Sequence, residues 1–188
     1  MERSFEAVLV EQCATTLAGV KPASLFRYQG ADKRQPREAA ARWAKELAPY
    51  GITVRILKVC PQTGACLIYL YRAGWLRSIL SEPSTRAFLA GQGYGADQSC
   101  QELLRQLSRR LCLEREFPHE IGVFLGYPLE DVVGFIENRG RNYTCCGCWK
   151  AYGDPEAARR RFDQYRRCTA ACKERFRRGA PITQLIAA

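Results

Sequence analysis

The chain has 188 residues, 47% of them apolar, and a formal charge of +10. That is enough apolar material to bury a core, which argues against global disorder. No run of about eighteen apolar residues occurs, so no transmembrane helix is expected. The length is that of one domain, taken as residues 1–188. The opening Met1-Glu-Arg-Ser-Phe-Glu6 lacks the basic-then-apolar order of a signal peptide, so a cytoplasmic location is expected. In a reducing cytosol the ten cysteines read as core residues, metal ligands or redox thiols rather than disulfides.

In chain order, Phe5, Val8, Leu9 and Cys13 recur at helical spacing and predict a helix from Phe5 to Ala18, ended by Gly19 and Pro22. Ser24–Tyr28 reads as a short strand. Pro36 opens a helix over Arg37–Ala48, stopped by Pro49-Tyr-Gly51. Ile52–Val59 and Ala65–Tyr71 are β-rich and flank the turn Pro61-Gln-Thr-Gly64. They predict an antiparallel hairpin over about 52–71, with Val54, Ile56 and Leu57 under helices and Cys60 and Cys66 bracketing the turn. Helical patterns follow at Gly74–Leu80, Ser84–Gly91 and Asp97–Leu111, the last with a stripe of Leu103, Leu104, Leu107 and Leu111. Asp154-Pro155 starts a long final helix that runs to about Arg178. The fold class is therefore α+β, a small antiparallel sheet covered by helices.

Between these lies Phe117–Lys150. Pro118 and Glu120 suit the first turn of a helix, Gly126 its left-handed end, and Pro128 a restart that stops at Gly140. The result is a helical hairpin at 118–139. Its spacing imitates a DNA-reading helix-turn-helix. Its chemistry does not, because the outward positions are Glu130, Asp131, Val133 and Phe135, where base reading needs Arg, Lys, Asn or Gln.

The charge is uneven. Arg139 to Arg178 holds twelve Lys/Arg and four Asp/Glu, a balance of +8. A field of that sign attracts nucleic acid or an acidic protein partner, and Arg159, Arg160, Arg161, Arg166 and Arg167 are the expected basic face. Gly91-Gln-Gly-Tyr-Gly95 lacks the strand-before, helix-after setting of a dinucleotide loop and is set aside.

Cys145-Cys-Gly-Cys148 contains a Cys-x-x-Cys pair, whose spacing lets two thiolates meet one metal or form one disulfide. Arg141 and Lys150 would favour its thiolates, and Trp149 would shield one side. Cys168 and Cys172 lie four apart on the final helix and share a face; they supply further sulfur or simply pack in the core. The single histidine, His119, could add a nitrogen ligand or act as a base. Cys13 is a candidate nucleophile, with Lys21 to lower its pKa. Glu120 adjoins His119, though neighbours on a helix do not face one another. The candidate catalytic set is therefore Cys13, Lys21, His119 and Glu120; the candidate metal set is Cys145, Cys148, Cys168 and His119, for zinc or an iron–sulfur cluster.

Phe117-Pro-His-Glu-Ile-Gly-Val-Phe-Leu-Gly-Tyr-Pro-Leu-Glu-Asp-Val-Val-Gly-Phe-Ile-Glu-Asn138 closely resembles the signature of a bacterial domain-of-unknown-function family, number 3793. Gln12–Gly19, Leu70–Arg72, Cys148–Lys150 and Tyr165–Cys168 are similar as well, so the resemblance spans essentially the whole chain. It implies an anaerobic Gram-positive host, a setting that protects thiolates from oxidation. It brings no activity with it. The matching sulfurs are Cys13, Cys112, Cys145, Cys148 and Cys168, whereas Tyr143 and Gly153 stand where members look richer in thiols.

The first expectation is thus a thiol-dependent protein that binds metal or cycles a dithiol through Cys145 and Cys148. The alternatives are a non-enzymatic binding module using the basic C-terminal helix, and a cysteine-nucleophile enzyme using Cys13 and His119.

Overall fold

The computed structural model describes residues 3–114 and 116–187. The protein is α+β, as its sequence predicts, and divides into two compact units, Met1–Trp75 with Cys168–Ala188, and Leu76–Arg167.

The first unit begins with α1 (Phe5–Leu17), whose first turn is capped by the Ser4 hydroxyl accepting from the Ala7 N–H at 3.2 Å. Strand β1 (Ala23–Tyr28) and helix α2 (Gln35–Leu47) follow, then β2 (Ile52–Val59) and β3 (Cys66–Arg72). The predicted hairpin is present, and β1 joins it in an antiparallel sheet of order β1-β3-β2. As the central strand, β3 is buried on both faces. Ile68 and Leu70 enter a cluster with Leu9, Leu17, Leu47 and Ile52, while Tyr69 and Tyr71 stack at 4.9 Å on the opposite side.

Val54 and Ile56 pack on that same cluster, as expected. Leu57 falls at a register shift, since Ile56 pairs with Ile68 and Lys58 with Leu67, and it is buried there. Arg72 ends the sheet and closes α1, donating from Nε to Thr16 O (2.8 Å) and from Nη2 to Leu17 O (2.7 Å). Each of those carbonyls also accepts a backbone N–H, Thr16 O from Gly19 (3.3 Å) and Leu17 O from Ala187 (3.1 Å), so the helix end is doubly satisfied.

The second unit carries most of α3 (Ala73–Ser81), then α4 (Pro83–Gly91), α5 (Cys100–Leu113), α6 (Ile121–Phe124) and α7 (Leu129–Glu137). Helix α5 starts after the predicted Asp97. Ser99 and Glu102 form a reciprocal capping box, which fixes the first turn at Cys100. The leucine stripe of α5 is buried as expected. The helical hairpin at 118–139 is present, but its first helix is a single turn that begins at Ile121, so His119 precedes it. Gly126 ends that turn with φ +76°, the left-handed conformation predicted for it.

The sequence pattern did not predict strands β4 (Cys145–Cys146) and β5 (Lys150–Ala151), which form a second hairpin at the cysteine cluster. Helix α8 (Pro155–Arg177) follows and runs as far as predicted, belonging to the second unit up to Arg167 and to the first from Cys168. Among the described residues, no helix is long and apolar enough to cross a membrane.

Candidate functional site

The β4–β5 hairpin is held by one carboxylate. Asp131, in the first turn of α7, is 4% exposed and accepts three hydrogen bonds: from Trp149 Nε1 (2.7 Å), Tyr152 N (2.6 Å) and Gly153 N (3.1 Å). The sequence pattern placed Asp131 on an outward face. The structure corrects this: the side chain turns inward, where two backbone N–H groups and an indole converge on it. Trp149 then stacks on Tyr127 (4.9 Å, 21°) and meets Phe162 of α8 edge-on (4.5 Å, 80°).

This packing distributes the cysteines. Cys145 and Trp149 rest against a small cluster of Ala151, Ala158 and Phe162. Gly147 lies so close to Phe162 that a Cβ there would come within 2.3 Å of the ring. Gly147 N donates to Trp149 O at 3.0 Å, leaving Cys148 at the tip of the turn, exposed. Lys150, expected to favour the thiolates, instead donates to Gly140 O at 2.7 Å and lies over the Tyr143 ring at 5.1 Å. Arg166, itself paired with Asp163, lies within electrostatic reach of Cys148. Burial pushes the Tyr127 hydroxyl up to about 12, with nearby Cys148 and Tyr165 adding to the effect.

His119 is exposed, its ring against Phe135 (4.9 Å) and Phe117 (6.1 Å). Glu120 has different surroundings. It is buried, pairs with Arg110 Nη1 at 2.7 Å and accepts from the Tyr94 hydroxyl at 2.9 Å. Its carboxylate is thereby committed to structure, and the two neighbours make no dyad in which Glu120 orients His119.

Cys13 and Lys21 belong to the first unit, His119 and Glu120 to the second. Cys13 is fully buried, and burial raises its thiol pKa far more than Lys21 and Ser24 lower it. The expected lowering by Lys21 therefore exists and loses to desolvation, so the thiol stays protonated at neutral pH. Cys168 packs on the first unit's core with its sulfur 3.9 Å from Ala14 O, and burial together with Cys172 raises it as well.

Cys60 reads in the sequence as a structural residue that brackets the hairpin turn, with no reactive role. It sits in the hairpin turn, where the Thr63 hydroxyl and the backbone N–H groups of Thr63 and Gln62 lower its thiol pKa. Cys60 is therefore expected to be the fastest thiol to alkylate near neutral pH, with Cys13 reacting only on unfolding. Time-resolved alkylation with peptide mapping checks this; Cys60→Ser should remove the fast phase, and a fast phase that survives would place it elsewhere.

Arg159, Arg160, Arg161, Arg166 and Arg167 are all exposed. Helical geometry spreads them around the exposed arc of α8 rather than along one line, because residues one apart are about 100° apart. Arg160 is within ion-pair reach of Asp154 and Glu156, and Arg166 pairs with Asp163. Among the described residues, no carboxylate pairs with Arg159, Arg161 or Arg167.

Among the described residues, no three His, Cys, Asp or Glu side chains come together as a set that could hold a metal ion. Among the described residues, no disulfide joins any of the ten cysteines. What the fold and these groups define is a cysteine-rich, basic α+β protein with an aromatic hairpin packed on an arginine-rich helix. The chain belongs to the family described as protein of unknown function (DUF3793), whose model matches residues 9–186. No curated protein and no solved structure matched it.

Proposed function

We propose that the chain is a non-enzymatic binding module that holds a polyanion, nucleic acid or an acidic protein partner, through the arginines of α8. The observation that carries this reading is the set Arg159, Arg161 and Arg167, exposed and without a carboxylate partner among the described residues. Unneutralised cations on a rigid helix release counterions from a polyanion when they bind it. The candidate sulfurs supply no rival of equal weight. Cys13 is buried and protonated, Cys145 rests on an apolar cluster, and Cys168 packs with Cys172.

Binding should be weak, indifferent to sequence and steeply dependent on salt. A fourfold rise in salt should weaken it about tenfold for two phosphate contacts. Arg159→Glu combined with Arg167→Glu should abolish binding at low salt without moving the unfolding midpoint. Titration of labelled oligonucleotide and of polyglutamate, followed by fluorescence anisotropy, checks this. Binding that ignores salt, or a double variant that binds like the parent, would overturn the reading.

A second reading, thiol chemistry at Cys145 and Cys148, is favoured by the exposure of Cys148 and the nearness of Arg166. On that reading, protein purified without oxygen carries zinc, iron or an oxidisable dithiol, and Cys145→Ser with Cys148→Ser removes it while the fold survives. Elemental analysis with thiol counting decides: a parent protein with no metal and ten titrating thiols that never cycle would dismiss it.

A further inference from the structure

The second unit holds a pocket of about 200 Å³ whose walls are largely rings: Phe117, His119, Tyr127, Phe135 and Trp149, with Ile121 and Val132 among its apolar lining. The volume is below that of pockets for drug-sized ligands, roughly 300–1,000 Å³, and has room for about one flat ring. Phe117 is 50% exposed and His119 is exposed beside it, so ring surface is open to solvent at the mouth.

The charge around the pocket selects the occupant. Lys150 lines it, with its ammonium 5.9 Å from the centre of the Phe135 ring and 5.1 Å from that of Tyr143. The same ammonium donates to Gly140 O at 2.7 Å, which ties it to the segment Arg139-Gly140-Arg141, and both of those arginines are exposed. Asp131 also lines the pocket, but its carboxylate already accepts from Trp149, Tyr152 and Gly153. A cage of rings with a free carboxylate would recognise a cation. Here one wall ring, Phe135, already faces the Lys150 ammonium and the carboxylate is committed, so a second cation would be repelled. What fits is a flat ring attached to a negative charge.

We propose that this pocket takes one unstacked base of a single-stranded nucleic acid, with Lys150, Arg139 and Arg141 meeting the adjoining phosphates. The inference rests on the polyanion reading above and narrows it to one partner class. Exposed rings interleaved with cations are how single strands are held, since every base offers a face to stack. A duplex cannot use them, because its bases are already stacked on one another. An acidic peptide satisfies the cations and leaves the rings unused.

The test is anisotropy on the full chain with four probes: a labelled single strand of about twelve nucleotides, the same sequence as duplex, polyglutamate of similar charge, and a free nucleoside monophosphate as competitor. A fluorescent base analogue in the strand reports stacking by quenching. The single strand should bind best, with quenching. Phe117→Ala should weaken it roughly tenfold while leaving duplex and polyglutamate binding unchanged. Lys150→Gln should lower the salt slope by about one.

Equal binding of all three polymers, with Phe117→Ala silent and no quenching, would overturn the base pocket and leave the polyanion reading standing. A free monophosphate that competes at the strand's own affinity would overturn the single-strand assignment in favour of a nucleotide site. Binding of no polymer at low salt would remove both readings. Circular dichroism of Phe117→Ala and Lys150→Gln guards against loss by unfolding, and either folded variant suffices for the decision.

Discussion

Asp131→Ala is expected to destabilise the Leu76–Arg167 unit by about 3–5 kcal/mol. The change leaves two backbone N–H groups and the Trp149 indole without the acceptor they share, in a place where the carboxylate is 4% exposed. A lost partner for a buried donor costs about 1–3 kcal/mol, and three donors are orphaned together. Asp131→Asn separates the contributions. Its amide oxygen can still accept from Tyr152 and Gly153, while its amide NH₂ faces the indole N–H, donor against donor, so about 1–3 kcal/mol should be lost. Urea unfolding, followed by circular dichroism and by tryptophan emission, measures both. An alanine variant within 1 kcal/mol of the parent would mean that water replaces the carboxylate at about the usual worth of a bridging solvent molecule. The hairpin would then stand without its tether, and the Trp149 wall of the pocket with it.

Alkaline pH should unfold this protein earlier than its composition suggests. Burial raises the Cys13 thiol above its ordinary 9.0 and the Tyr94 and Tyr127 hydroxyls above their ordinary 10.0; nearby Glu120 adds to the rise at Tyr94. In each case the unfolded chain loses its proton first, while the folded chain keeps it. Above the ordinary value the unfolded state therefore binds fewer protons, and stability falls as pH rises. The contribution is intact below pH 9, begins to fall there for Cys13, and falls further above pH 10 for the tyrosines, Tyr127 continuing to about 12. Each group contributes up to about 1.4 kcal/mol per pH unit within its window. Urea midpoints measured from pH 7 to 11 should be level at first and then drop. Cys13→Ala should flatten the part of the drop between pH 9 and 10, at some cost in packing at every pH. A parent whose midpoint is unchanged to pH 11 would show that these groups ionise without unfolding.

Much of the fold was legible because it is local. The β-rich runs Ile52–Val59 and Ala65–Tyr71 and the turn between them set a hairpin that needs no distant partner to be recognised. Gly126 at φ +76° and the Asp154-Pro155 start of α8 are also statements about neighbouring residues. The basic character of α8 was legible for the same reason, since charge is counted along the chain.

The candidate site was less legible, because its chemistry depends on what each side chain meets across the fold. Asp131 and Glu120 look like surface acids in a first turn, yet one anchors a hairpin from α7 and the other pairs with Arg110 of α5. A carboxylate's burial is decided by where unsatisfied donors converge, which one-dimensional spacing does not encode. Cys13 beside Lys21 suggested an activated thiol, and the core around α1 decided otherwise. The Cys-x-x-Cys spacing brought Cys145 and Cys148 near each other in sequence. The ring of Phe162 under Gly147 and the stacking of Trp149 set their surroundings apart, the one resting on apolar side chains and the other at an exposed tip. By itself the sequence determined the α+β class, the hairpin, the span of α1 and the start of α8, and the sign of the charge, all of which follow from backbone preferences and composition. Only the tertiary structure decided which acids are buried, which thiols ionise and that five rings line one pocket, because desolvation and convergence are properties of packed surfaces and not of neighbours in the chain.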